Sequence, residues 1–134
     1  MKDAGHLTQK KFSEFDLHTT LLRGLEETGF EYCTPIQAET LPLLLRGQDV
    51  AGQAQTGTGK TAAFLLATFS RLLTNLPLNT HKSTSVRAVI LAPTRELAIQ
   101  IYRDASVLGK HNDLKLGLVY GGTGYHSQLS LIHI

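Results

Sequence analysis

The segment that most constrains this chain is a glycine-rich run, Ala54–Thr61. A short apolar stretch, 49–53, precedes it, and a helix-favouring stretch, 62–67, follows it. Strand, glycine-rich turn and helix in this order are the setting of a phosphate-binding loop. An ordinary glycine-rich turn is the alternative, and the position where the general pattern begins with Gly holds Ala54. The predicted phosphate-binding residues are Ala54, Gln55, Thr56, Gly57, Thr58, Gly59, Lys60 and Thr61.

Each residue type in this run has a physical role at such a site. Gly57 and Gly59 let successive backbone N–H groups face one anion, and the start of the following helix adds its positive dipole end. Lys60 would place a positive charge on the outer phosphates. The hydroxyl of Thr61 would take one coordination place on Mg²⁺, which keeps most of its waters.

Composition places the chain among globular proteins of a reducing compartment. Its 134 residues are 42% hydrophobic and 18% charged, which suits one domain with a core. The net charge of +2 is too small to identify a nucleic-acid partner. The one cysteine, Cys33, excludes an internal disulfide. No apolar run approaches the ~20 residues that span a bilayer, and none resembles a signal core. We expect a cytoplasmic protein with no histidine- or cysteine-based metal site.

The pattern of apolar residues predicts alternating helices and strands. Helices are expected over 18–28, 34–47, 60–76 and 95–108. Strands are expected over 49–53, 87–92 and 114–120, with 87–92 as continuous an apolar run as a buried parallel strand requires. A polar surface loop is expected over 77–85. The predicted class is α/β with a mainly parallel sheet.

Four short elements, in this order and spacing, are similar to motifs of the DEAD-box ATP-dependent RNA helicases, most of all to the bacterial RhlB type. They resemble that family's Q motif, motif I, motif Ia and GG element. The matching segments are Gly29–Gln37, Ala54–Thr61, Pro93–Ala98 and Gly121–Gly122. The resemblance covers about residues 10–129. It implies the opening half of a RecA-like P-loop NTPase domain that uses ATP and Mg²⁺, binds RNA and, in a whole protein, unwinds it.

The resemblance also assigns roles to residues outside the phosphate loop. Gln37 would read adenine, because its amide offers one donor and one acceptor to the base, a pair that guanine cannot satisfy. Gln37 has a second role open to it, since it completes a capping box with Thr34. Phe12 lies 17 positions before Gly29 and would stack on adenine, with packing in the core as its alternative role. Phe15 is the competing candidate for the stacking role, and core packing is expected for it.

The RNA contacts implied by the resemblance all address phosphate and sugar. They are Pro93, Thr94, Arg95, Gly121 and Gly122. A helix start after a strand suits a phosphate, and paired glycines let a strand of RNA approach. A plain N-cap and a simple turn are the alternatives. Four other basic residues are expected to be a solvated face and not a binding stripe: Lys82, Arg87, Lys110 and Lys115.

The chain departs from the family in what it lacks. The sequence contains no Asp-Glu-Ala-Asp, the element from which this family draws its Mg²⁺-holding Asp and its water-activating Glu. It also contains no Ser-Ala-Thr. We therefore expect a fragment that does not hydrolyse ATP by itself. The expected organisation is a flexible N-terminus over 1–11, a Q-motif helical region over 12–47, a partial ATP-binding domain over 48–129 and a truncated or non-native tail over 130–134.

Two other functions remain open from the sequence. One is a non-catalytic nucleotide- or RNA-binding module. The other is a different P-loop protein, such as a DNA helicase or small kinase; Gln37 with Phe12 upstream disfavours the kinase, and the segment 93–98 disfavours most DNA helicases. An RNA-turnover assembly is the partner that the resemblance implies for a full-length protein.

Overall fold

The described part of the chain is organised around four α-helices. The structure is a computed structural model that describes residues 7–75, 86–122, 124, 126 and 128. The helices are α1 (Thr19–Thr28), α2 (Pro35–Leu45), α3 (Lys60–Thr74) and α4 (Arg95–Leu108). A short 3-10 helix, Phe12–Glu14, precedes α1. All four predicted helices are confirmed.

The helices begin at the residues that the sequence marks as caps. The Thr34 hydroxyl and Gln37 amide form the predicted capping box at the start of α2, with Pro35 in the first helical position, where its missing N–H is not needed. The hydroxyl of Thr94 accepts a hydrogen bond from the backbone N–H of Leu97 (3.2 Å) and so caps α4. Local side-chain chemistry therefore accounts for where these two helices start.

The core lies between the helices, and α3 is packed against each of the others. Its fully buried leucines, Leu65 and Leu66, meet Leu21 and Leu25 of α1 and Leu41 of α2 in one apolar cluster. Burying such side chains contributes roughly 1.5–3 kcal/mol each. The arrangement fixes the first residue of α3, Lys60, relative to the start of α2.

Helices α1 and α4 cross at a glycine. A Cβ at Gly24 would lie 2.6 Å from the carbonyl oxygen of Leu108, so only glycine allows this approach. Next to the crossing, one carboxylate of α1 pairs with two basic groups after α4. Glu27 accepts from the Lys110 ammonium at 2.9 Å and lies 2.7 Å from the His111 ring nitrogen. These two groups lower the pKa of Glu27, mainly through the hydrogen bond from Lys110.

Residues 8–12 pair with the segment that precedes α2. The backbone N–H of Thr8 donates to the carbonyl of Cys33 (2.8 Å), and that of Cys33 donates to the carbonyl of Lys10 (2.8 Å). Lys11 forms an antiparallel bridge with Tyr32. Residues 8–11 of the segment predicted to be flexible are therefore hydrogen-bonded to the segment before α2. Residues 1–6 of it lie outside the described part.

The three predicted strands are not strands in the described part of the chain. Segments 49–53, 87–92 and 114–120 have no regular secondary structure there. The apolar side chains of 87–92 are also not buried: Val89 is 73% exposed and Leu91 is 89% exposed. A buried parallel strand needs at least one neighbouring strand and helices on both faces, and no described residue supplies a ladder to these segments. Residues 114–120 keep a strand-like alternation, with Leu114 and Leu116 turned to the core.

Two further predictions concern residues outside the described part. These are the polar loop over 77–85 and the tail over 130–134.

The third predicted helix ends at Thr74, with Asn75 as its cap, two residues before the expected end.

Candidate functional site

The loop between residue 53 and α3 turns through two glycines in the left-handed region. The φ angles of Gly57 and Gly59 are 83° and 88°, which side chains with a Cβ rarely adopt. The hydroxyl of Thr58 closes the loop by donating to the carbonyl of Gln55 (2.8 Å). Gly59 caps α3, so the first N–H groups of that helix lie directly after the turn. This is a loop shape suited to holding an anion at a helix start.

The ammonium of Lys60 lies inside the curve of this loop. It donates to the carbonyl oxygens of Gln55, at 2.6 Å, and of Ala54. The positive charge therefore rests on two acceptors of the loop itself. A phosphate oxygen, which carries a full negative charge, is a stronger acceptor for the same ammonium. Thr61 follows in the first turn of α3, and its side chain is partly exposed.

The start of α2 is tied to the loop by two side chains. The hydroxyl of Thr34 donates to the carbonyl of Thr58 over 2.7 Å. The amide nitrogen of Gln37 donates to the carbonyl of Gly59 over 3.0 Å, while its oxygen accepts from the N–H of Thr34 over 2.9 Å. These three hydrogen bonds are partly buried, and Gln37 itself is only 6% exposed. The predicted base-reading residue and the predicted phosphate loop thus meet in one site.

This contact imposes a steric condition that the sequence did not reveal. A Cβ at Gly59 would collide with the amide nitrogen of Gln37 and would come within 3.2 Å of the Thr34 hydroxyl. At Gly57, by contrast, a Cβ would have no heavy atom within 4 Å. Both glycines turn the loop, but only Gly59 must also stay small to admit Gln37.

The two aromatic candidates upstream of α1 lie in different surroundings. Phe12 is 2% exposed and belongs to the core cluster, where its ring meets apolar side chains. Phe15 is partly exposed, and the Lys10 ammonium lies 5.2 Å from the centre of its ring. Core packing, the alternative that the sequence left open for Phe12, is what the structure shows, and Phe15 also packs against the same cluster. A stacking role for Phe12 requires that one face of its ring be uncovered.

A second cluster joins the start of α4 to residues 120–122. The guanidinium of Arg95 lies over the ring of Tyr120, 4.5 Å from its centre. Pro93, Thr94, Arg95 and both glycines, Gly121 and Gly122, are exposed. A Cβ at either glycine would meet nothing within 4 Å, so the surface in front of them is open. Two of the implied RNA-contact segments therefore lie side by side. Sequence reasoning did not single out Tyr120.

Of the four basic residues expected to be solvated, three are in the described part. The guanidinium of Arg87 donates to the carbonyls of Leu72 (3.0 Å) and Asn75, so it caps the end of α3 and is not simply solvated. Lys110 pairs with Glu27, and Lys115 is exposed. Lys82 lies outside the described residues.

The described residues bear on three other kinds of function, namely membrane insertion, metal binding and thiol chemistry. Within these residues no helix is long and apolar enough to cross a membrane, and no group of three His, Cys, Asp or Glu side chains could hold a metal ion. Cys33 is buried, which raises the pKa of its thiol to about 11 and keeps it protonated at neutral pH. The site chemistry is therefore that of the loop, the Gln37 amide and the Arg95 cluster.

Two curated relatives with sequences similar to this chain share one protein name. The chain is 58% identical over 127 residues to "ATP-dependent RNA helicase RhlB" of Shewanella piezotolerans, covering 95% of this chain and 29% of the relative. It is 59% identical over 128 residues to the protein of that name from Pectobacterium atrosepticum, covering 95% of this chain and 30% of the relative. The chain thus spans about 30% of the length of these relatives. The likeness confirms the predicted resemblance to the RhlB type.

Solved structures agree on the fold. A crystal structure of a DEAD box protein from Methanococcus jannaschii matches with a TM-score of 0.79 and 32% identity, covering 92% of this chain and 32% of that one. S. cerevisiae Dbp5 bound to Gle1 matches with a TM-score of 0.72 and 34% identity, covering 90% and 30%. The chain thus follows part of a helicase domain, although its described residues form no strand ladder. The family model "DEAD/DEAH box helicase" matches residues 34–134, and the chain belongs to this family.

Proposed function

We propose that this chain is the ATP-binding and RNA-backbone-binding part of an ATP-dependent RNA helicase. The observation that carries the proposal is the hydrogen-bonded junction between the Gln37 amide and the carbonyl of Gly59, at 3.0 Å. It places a side chain suited to a base edge directly beside a loop suited to phosphates. The names of the RhlB relatives, which spell out ATP and RNA, support the same conclusion.

The phosphates of ATP would lie in the loop from Ala54 to Thr61. On binding, the Lys60 ammonium exchanges the carbonyls of Ala54 and Gln55 for phosphate oxygens, and the N–H groups after Gly59 face the same anion. The half-buried Thr61 hydroxyl fits a coordination place on Mg²⁺. When bound, that ion neutralises part of the charge on the phosphates.

Adenine would be recognised by the amide hydrogen and the oxygen lone pair of Gln37 that its contacts with Gly59 and Thr34 do not use. One amide hydrogen is used by the carbonyl of Gly59, and one lone pair of the oxygen is used by the N–H of Thr34. The second hydrogen and the second lone pair match the N7 acceptor and N6 donor of adenine. The capping role and the base-reading role are therefore compatible. Phe12 joins this site only if one face of its ring is uncovered.

RNA would be held through its phosphates by the exposed cluster of Pro93, Thr94, Arg95, Gly121 and Gly122. Such contacts give affinity that depends on salt and carry no sequence preference. We propose domain limits of 12–47 for the Q-motif region and 48–129 for the partial ATP-binding domain. For the whole helicase we also propose unwinding coupled to ATP hydrolysis, a cytoplasmic location and an RNA-turnover assembly as partner.

The test uses a hybrid protein in which this chain replaces the aligned residues of S. piezotolerans RhlB. We expect ATPase activity that rises when single-stranded RNA is added, and we expect Arg95→Ala to weaken RNA binding. Arg95→Ala should also reduce the slope of log Kd against log salt by about 0.7, one single-strand phosphate contact. An active parent RhlB beside a hybrid that binds neither ATP nor RNA would refute the proposal. A hybrid that binds both without turnover would instead support a non-catalytic binding module.

A further inference from the structure

Tyr120 has a role that neither the sequence motifs nor the family assignment supplies. Its partly exposed ring carries the Arg95 guanidinium, with 4.5 Å between the guanidinium carbon and the ring centre. That distance is within the range of a cation–π contact. Tyr120 comes directly before Gly121 and Gly122, so one aromatic ring connects the start of α4 to the glycine turn.

The backbone of Tyr120 is itself held in place. The side-chain amide of Gln128 accepts from its N–H over 2.9 Å and donates to its carbonyl over 3.0 Å. An amide that bonds both groups of one residue imitates the neighbour that an extended strand would have. The backbone that carries the ring under Arg95 is therefore held by two hydrogen bonds.

The guanidinium carbon of Arg95 lies over the Tyr120 ring at a distance that permits face-on stacking. A guanidinium that stacks in this way keeps its edge free for recognition. The five N–H donors of Arg lie in the plane of the group, so a ring below that plane uses none of them. The edge can still take a phosphate in a two-bond fork, the geometry in which Arg exceeds Lys. Stacking also restricts the rotamers of Arg95 before RNA binds. Less side-chain entropy is then lost on binding, which is a gain in affinity through preorganisation.

We infer that Tyr120 is a positioning residue that holds the Arg95 guanidinium edge-on toward an RNA phosphate lying in front of Gly121 and Gly122. The inference rests on the proposed function, because it presumes that Arg95 contacts RNA. Tyr120 acts through Arg95 and makes no base contact of its own. The surface in front of both glycines is open, as such a phosphate requires.

The experiment is a double-mutant cycle in the RhlB hybrid, with a fluorescein-labelled oligouridylate as the probe and anisotropy as the readout. The variants are Tyr120→Phe, Tyr120→Leu, Arg95→Ala and the Arg95→Ala/Tyr120→Leu pair. Tyr120→Phe should keep the parent affinity, because Phe also offers a ring face. Tyr120→Leu should weaken binding about two- to fivefold, the size expected for an exposed cation–π contact. In the Arg95→Ala background, Tyr120→Leu should add nothing.

Each outcome separates this inference from the function on which it rests. If Arg95→Ala leaves RNA affinity unchanged, the proposed RNA interface is wrong. If Arg95→Ala weakens binding and Tyr120→Leu does not, the interface stands and the positioning role is refuted. If the two effects add, Tyr120 contacts RNA independently, which also refutes the role. Affinity for a fluorescent ATP analogue should be unchanged in every variant, and a loss of that affinity in Tyr120→Leu would mean a folding defect and overturn the inference.

Discussion

The amide nitrogen of Gln37 donates a hydrogen bond to the carbonyl of Gly59 over 3.0 Å, joining the start of α2 to the start of α3. The same carbonyl accepts the N–H of Ala63 (3.2 Å), the first turn of α3. The residue proposed to read the base is therefore bonded to the cap of the helix that faces the phosphates. Changes at either residue should alter nucleotide binding together with local stability.

The first prediction concerns Gln37→Glu. The carboxylate still accepts from the N–H of Thr34, but it places an acceptor against the carbonyl of Gly59. We expect a loss of stability of about 1–3 kcal/mol, the cost of an unmade buried hydrogen bond. We also expect a lower preference for ATP over GTP, because the donor to adenine N7 is gone. Competition of ATP and GTP against a fluorescent analogue in the hybrid, beside thermal unfolding, measures both.

Thr34→Val is the matched control for Gln37→Glu. It removes the hydrogen bond from the Thr34 hydroxyl to the carbonyl of Thr58 (2.7 Å), a second tie between the same two segments. Its effect on ATP and GTP affinity should be equal, since Thr34 has no proposed base contact. If Gln37→Glu lowers the midpoint of thermal unfolding but keeps the preference for ATP over GTP, Gln37 only caps α2 and does not recognise the base.

A second prediction compares alanine at the two loop glycines. Both substitutions place a Cβ at a positive φ, which costs roughly 1–2 kcal/mol. Only Gly59→Ala also collides with the amide of Gln37, whereas a Cβ at Gly57 has open space. Gly59→Ala should therefore lower both the midpoint of thermal unfolding and the ATP preference by more than Gly57→Ala. Equal losses at the two sites would contradict the packed junction.

The third prediction follows from the Cys33 thiol, whose pKa burial raises from 9.0 to about 11. The folded state holds the thiol proton more tightly than the unfolded state, so this contribution to stability is complete below pH 9 and is lost as the pH rises toward 11. The midpoint of thermal unfolding should fall more steeply over that interval than in Cys33→Ala. Parallel curves for the two proteins would show that the thiol is not buried as described.

The fourth prediction concerns residues 1–134 on their own. The side chains of Val89 and Leu91 are exposed on a segment with no backbone partner among the described residues, a template for association. We expect size exclusion to show oligomers, and Val89→Lys/Leu91→Lys to increase the monomer. ATP turnover should not exceed that of a Lys60→Ala control, since the sequence lacks Asp-Glu-Ala-Asp. A monodisperse parent chain would contradict the first half, and turnover above the control the second.

Local sequence signals predicted the helices and the phosphate-binding loop. They did not predict contacts between residues that are far apart in the sequence. Caps such as Thr34 and Thr94 act within one turn, so the residues alone locate the starts of α2 and α4. Strand formation over 87–92 depends on neighbours that the pattern of that segment does not contain. The sequence left two roles open for Phe12 for the same reason, because its burial depends on core residues far along the chain. The Arg95–Tyr120 contact bridges 25 positions and had no local signal.

The central claim is that the loop around Lys60 binds the phosphates of ATP, and titration of the hybrid with a fluorescent ATP analogue tests it most directly. Lys60→Ala removes a charged contact worth about 1.5–3 kcal/mol, so the affinity should fall by at least about tenfold. Lys115→Ala removes the same charge from an exposed site and should leave the affinity unchanged. Thermal unfolding of each variant separates lost binding from lost folding. Equal affinity of the Lys60→Ala protein and its parent would contradict the phosphate-loop assignment.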